Sequence, residues 1–208
     1  MTARTIAVIS GGLSQPSSTR MLADRLAGAS VERLKQKGVD AQVEVFELRD
    51  IAQDITNNLL TGFPSPKLAA VIDTVTTADG LIAVTPIFTT SYSGLFKSFF
   101  DVLDNTSLTD LPVLIGATGG TARHSLALEY SLRPMFTYLH SVVVPTSVFA
   151  ATADWGSGPE ELKTLSDRIL RAAEQFATLV SVSDRANRVP DPFALGDTFS
   201  PVGAYGGQ

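Results

Sequence analysis

Three short stretches of this chain carry the residue types that can hold a ligand. The first, Ser10-Gly11-Gly12-Leu13-Ser14-Gln15-Pro16-Ser17-Ser18-Thr19, is rich in hydroxyls and leads straight into a helical pattern. Hydroxyls ahead of a helix N-terminus can hydrogen-bond an anion that the free backbone N–H groups and the helix dipole also attract. The stretch holds no lysine or arginine before Arg20, so an anion there would rest on neutral donors. It has neither the Gly-Lys-Ser/Thr of a Walker loop nor the Gly-x-Gly-x-x-Gly spacing of a dinucleotide fold, and a plain N-cap with a serine-rich turn is the alternative. The second stretch runs Thr85-Pro86-Ile87-Phe88-Thr89-Thr90-Ser91-Tyr92-Ser93-Gly94. Pro86 fixes φ and has no N–H, which orders the turn and leaves the amides of Ile87, Phe88 and Thr89 free to meet a ligand edge. The Phe88 ring either lies beside a planar group or belongs to the core. In the third, Ala117-Thr118-Gly119-Gly120-Thr121, two glycines let the backbone approach a flat ligand, or form an ordinary turn. Together the three imply a site with a phosphate end and a flat heterocyclic end.

The missing residue types narrow the chemistry further. Among 208 residues there is no cysteine, which excludes disulfides, cysteine-ligated zinc, iron–sulfur clusters and thiol catalysis. Only His124 and His140 could supply imidazole, so no metal site is expected, and both are read as structural, with no general acid or base assigned. A formal charge of −5 without a basic run argues against nucleic acid. No stretch approaches the ~20 apolar residues of a membrane span, and the N-terminal apolar run is too brief for a signal core, so a cytoplasmic protein is expected. The chemistry must come from a cofactor, from carboxylates, or be absent.

The elements that position these stretches alternate. Short β-branched apolar runs at 5–10, 80–85, 112–117 and 142–148 read as strands, the first of them buried on both faces because it does not alternate. Residues 42–48 alternate polar and apolar, as a strand near a sheet edge would. Helices are expected after the first loop, at about 67–78, 94–103 and 122–140, and along the apolar stripe Leu162, Leu165, Ile169, Ala173, Phe176 and Val180. Residues 50–66 lack a clean period and are read as an excursion. Five strands alternating with helices imply a parallel, doubly wound α/β sheet of order 2-1-3-4-5. Its ligand sits beyond the carboxyl ends of the strands, where the three loops converge. Residues 1–182 form the expected domain, and 183–208 a proline- and glycine-rich tail. Pro134 cannot donate to the carbonyl of Tyr130, so the helix is expected to kink or bulge there.

In these loops and in the run Ala127-Leu128-Glu129-Tyr130-Ser131-Leu132-Arg133-Pro134, the chain resembles the NAD(P)H-dependent FMN reductases, above all the alkanesulfonate-type reductases that supply reduced flavin to a monooxygenase. The resemblance spans about residues 5–180. It implies a flavodoxin-like three-layer sandwich and an FMN oxidoreductase drawing hydride from NADPH or NADH. By position, Ser10, Ser17, Ser18 and Thr19 would hold the FMN phosphate. Pro86, Ile87, Phe88 and Thr89, with Thr118, Gly119 and Gly120, would border the isoalloxazine ring, and Thr118 and the two glycine amides would stabilise charge near N1. A homodimer or homotetramer, with Tyr130 and Pro134 at the interface, and a flavin-dependent monooxygenase are the implied partners. Many relatives carry an arginine two residues after the first serine, where this chain has Gly12. An enzyme that keeps its FMN and reduces quinones, azo dyes or metal ions is the alternative, and a flavodoxin-like electron carrier the second.

Overall fold

The computed structural model describes residues 3–156 and 159–185. Among them seven strands form one sheet: β1 (Arg4–Ser10), β2 (Ala41–Glu47), β3 (Gly80–Phe88), β4 (Ser91–Tyr92), β5 (Pro112–Gly119), β6 (Val142–Val143) and β7 (Val148–Ala151). The main path is β2-β1-β3-β5-β6, all parallel, with β7 also on β5 and β4 antiparallel on β3. The helices are α1 (Ser18–Gln36), α2 (Ala52–Thr61), α3 (Pro66–Thr77), α4 (Gly94–Asp101), α5 (Arg133–Tyr138) and α6 (Pro159–Val182). The expected doubly wound class and the order 2-1-3-4-5 are both present.

Alternation along β1 separates two cores. Ile6 and Val8 pack with Leu22 and Leu26 of α1 and Phe176 and Val180 of α6, whereas Ala7 and Ile9 pack with Ile55, Phe96 and Phe136 on the opposite face. Both faces are covered, which is why β1, β3 and β5 read as continuous apolar runs. β2 lies at the edge of the sheet, with an exposure pattern that follows its polar alternation. Gly116 lets α1 come close, since a Cβ there would stand 3.2 Å from Leu26 Cδ1 and 3.4 Å from Leu22 Cδ2.

Seven strands replace the expected five for two local reasons. The fifth strand is split into β6 and β7 at Pro145, which has no N–H to give to a ladder. Side chains satisfy the backbone at the gap: Arg133 donates to the Val144 and Pro145 carbonyls, and Gln175 accepts from the Thr146 N–H. The second loop folds back as a hairpin, in which β3 runs on through Pro86 to Phe88 and pairs with β4. Pro86 is tolerated because its N faces the β1 side of β3, the side on which Val84 accepts from the Gly11 N–H. β1 ends level with Val84, so no ladder partner is lost.

Residues 50–66, expected as an excursion, contain a helix. In α2, Ile55 and Asn58 face inward just after buried Ile51, and Gly62 ends the helix at φ 78°. Three inward positions among polar residues were too few to show a period. The single helix expected at 122–140 is instead a 3-10 turn (Ala122–His124), one π-helical turn (Leu128–Leu132) and α5. The widened turn directly precedes Pro134, as its missing donor requires.

The expected tail lies outside the described residues from 186 onward. Its first residues do not: Arg185 is buried against the base of the sheet, donating to the carbonyls of Thr76, Ala78, Ser107 and Thr109.

Candidate functional site

The three loops meet at the carboxyl ends of β1, β3 and β5. Register fixes the order, with Ser10 opposite Val84 and Pro86 opposite Thr118. Side chains alternate along each strand, so Ser10, two residues past Val8, and Thr118, two past Gly116, both point to the face covered by α1. Ser17 is the N-cap of α1 and accepts from the Arg20 N–H at 3.2 Å, leaving its own O–H as a donor. Thr19 on the first turn is buried and lies 2.9 Å, hydroxyl to hydroxyl, from Thr118. Ser18 is exposed. The fully buried Ser10 Oγ has no hydrogen-bond partner among the described residues.

A buried network ties the loops together. Ser93, the N-cap of α4, accepts from the Phe96 N–H and donates to the Gly11 carbonyl at 3.4 Å. Its N–H donates to Thr85 Oγ1, which in turn donates to the Pro86 carbonyl. From the edge strand's end, Arg49 donates to the Ser14 carbonyl at 2.7 Å. Neither Ser93 nor Arg49 was singled out from sequence, because their contacts exist only once strand order places β2 and α4 beside the first loop.

The ring end is more open. Phe88 is 48% exposed at the hairpin tip, and its pairing with Ser91 commits it to the hairpin rather than leaving all three expected amides free. Ile87 is half-buried, Pro86 buried and Thr89 exposed, while Gly120 has open space where a side chain would stand. Thr89 and Thr90 both have positive φ, 46° and 72°, a conformation that β-branched residues rarely adopt. His124 is exposed beyond the third loop, and His140 lies near the opposite end of the sheet, where its carbonyl accepts from the Asp110 N–H just before β6.

Charge at the first loop is internally balanced. Arg20 pairs with Asp24 at 2.8 Å and Glu47 at 3.2 Å, and its hydrogen bond to Asp24 raises its pKa above the ordinary value. Arg49 pairs with Glu47 at 2.8 Å. What remains for an anion is the set expected from the residue types: a helix N-terminus with no acidic residue in its first turn, the Ser17 and Thr19 hydroxyls, and the orphaned Ser10. These fit the phosphate of FMN, and the glycine-lined third loop fits the edge of its ring. Gly12 keeps the cradle open, since a Cβ there would fall 2.1 Å from Ser17 Oγ.

Comparison with known proteins identifies the family. The family model described as NADPH-dependent FMN reductase matches residues 4–156. An FMN reductase (NADPH) of Pseudomonas aeruginosa is 37% identical over 174 residues, covering 84% of this chain and 91% of its own. The NADH-dependent FMN reductase SfnF of Pseudomonas fluorescens is 34% identical, covering 84% and 90%. The crystal structure of an oxidoreductase from Corynebacterium diphtheriae superposes with a TM-score of 0.85 at 45% identity, covering 88% of this chain and all of that one. With its flavodoxin-like sheet and a loop set that suits FMN, the chain belongs to the NADPH-dependent FMN reductase family and is an oxidoreductase that uses FMN with NADPH or NADH.

Proposed function

We propose that this reductase treats FMN as an exchangeable substrate and passes the reduced flavin to a flavin-dependent monooxygenase in the cytoplasm. The observation that carries this reading is the charge balance of the first loop. Arg20 and Arg49 are both engaged by carboxylates, and the resemblance places Gly12 where many relatives carry an arginine, so the phosphate is held by neutral donors. A phosphate held without a cation forgoes the stronger, charge-assisted hydrogen bonds, and weaker retention suits a flavin that must leave.

Bound FMN supplies the redox chemistry by accepting hydride from the nicotinamide. The chain's part is binding and positioning. Ser10, Ser17, Ser18, Thr19 and the α1 amides hold the phosphate, Pro86 to Thr89 and Gly119 border the ring, and the Gly119 and Gly120 amides face the edge that gains charge on reduction.

The test is nucleotide oxidation by purified protein with and without added FMN. Turnover that rises and saturates with free FMN supports exchange. Full turnover from bound flavin, with quinone as acceptor and no dependence on added FMN, supports a flavin-retaining reductase instead. No oxidation of NADPH or NADH would sink both.

The assembly we propose is a homodimer or homotetramer through the π-turn and α5, where Tyr130 and Tyr138 are 77% and 70% exposed. Exposed tyrosines clustered on one face suit an interface better than solvent. Tyr130→Ala is expected to shift the sedimentation profile to a smaller species at micromolar concentration. An unchanged oligomer size and unchanged flavin retention would refute this face as the interface.

A further inference from the structure

By its place in the third loop Thr118 belongs to the ring end, yet its side chain lies elsewhere. It projects from β5 towards α1 and is 4% exposed, with its hydroxyl 2.9 Å from that of Thr19 on the first turn of α1. We infer that Thr118 is a positioning residue of the phosphate end, acting through Thr19, and not a ring contact.

The argument is one of proton counting. Each hydroxyl has one proton and can accept from two donors, so the buried pair has two arrangements. If Thr19 donates to Thr118, it has nothing to offer an anion at the helix N-terminus. If Thr118 donates to Thr19, the Thr19 proton is free to point at the anion, and the bond Thr19 accepts polarises its own O–H. A phosphate at α1 selects the second arrangement, in which Thr118 spends its only proton on Thr19. Thr118 then has no donor left for the ring, whose electrostatic support falls to the Gly119 and Gly120 amides. The two ends of the site are thereby joined, since the strand that ends at Gly119 also orients a phosphate-binding hydroxyl.

This inference rests on the three loops being the FMN site, and its test separates the two claims. Dissociation constants for FMN and for riboflavin, which lacks the phosphate, are measured by flavin fluorescence on apo-protein of wild type, Thr118→Val, Thr118→Ser, Thr19→Val and the double valine variant. Thr118→Val is expected to weaken FMN about tenfold and riboflavin less than twofold, with Thr118→Ser restoring FMN. The double variant is expected to bind FMN no more weakly than Thr19→Val alone. A purely structural role would weaken both flavins together and lower Tm. Equal loss for the two flavins, additive losses in the double variant, or unchanged FMN affinity in Thr118→Val would each overturn the inference. Should the valine variant fold poorly, Thr19→Val against Thr19→Ser gives the same contrast from the other side of the bond. Wild-type protein that bound neither flavin would overturn the site itself.

Discussion

Arg185→Ala is expected to lower Tm by roughly 10 °C. The guanidinium is 5% exposed and donates through Nε to the Thr109 carbonyl at 2.9 Å, through Nη1 to Thr76 at 2.6 Å and Ala78 at 3.1 Å, and through Nη2 to Ser107. Burial pulls its pKa down, while Asp110 and Asp79 push it up. Each hydrogen bond from a charged donor contributes about 1.5–3 kcal/mol, and carbonyls left dry cost about as much as the bonds they lose. Water will reach some of them, so a net loss of about 3 kcal/mol is expected rather than the full sum. The bonds fasten the last described turn to two places at once. One is the C-terminal end of α3, where a cation is also favoured by the helix dipole; the other is the turn ahead of β5. Arg185→Lys keeps the charge but loses the planar fork, so it should recover less than half of the loss. Thermal melts decide the matter, and a drop below about 2 °C for the alanine variant would show the clamp to be dispensable.

Gly12→Ala should damage ligand binding more than stability. The new Cβ would lie 2.1 Å from Ser17 Oγ and 3.1 Å from Thr19 Cβ, so Ser17 must rotate away from the position in which it caps α1. Losing the cap costs about 1 kcal/mol of stability. Losing an oriented hydroxyl, worth about 2 kcal/mol against a charged phosphate, weakens FMN by roughly thirtyfold. Riboflavin should lose much less. Titration of both flavins into the variant checks this, and equal weakening would mean that the first loop contacts the ring rather than the phosphate. An arginine at the same position meets the same obstacle at its Cβ. The first loop of this chain is thus shaped around the absent side chain, and Gly12→Arg should weaken FMN despite the added charge.

Much of the candidate site was legible in the residues. Hydroxyls before a helix, glycines after a buried strand and a proline between them marked all three loops, because each feature acts over a few residues. The edge position of β2 could be read from its alternation for the same reason. The helix α2 could not be read, since its inward face is only Ile55 and Asn58 in ten residues and its stability comes from what it packs on. Nor could the split of the last strand, which depends on Arg133 and Gln175 reaching the gap at Pro145 from other elements. From sequence alone Pro86 reads as part of a turn, but it sits in β3 because β1 stops beside it, a fact about a strand more than seventy residues earlier.

What the sequence determined by itself is a set of local features: hydroxyls ahead of a helix start with no lysine or arginine before Arg20, a glycine-lined loop after a buried strand, and a sheet that brings such loops to one end. Which hydroxyls lie together was decided only by the tertiary structure. Thr118 shares a loop with Gly119 and Gly120 but shares a hydrogen bond with Thr19 on the first turn of α1. The physical reason is the pleat. Successive side chains of β5 leave opposite faces of the sheet, so Thr118 turns to α1 while its neighbour Gly119 faces Phe149, and sequence proximity says nothing of that division until the sheet and its crossover helix are in place.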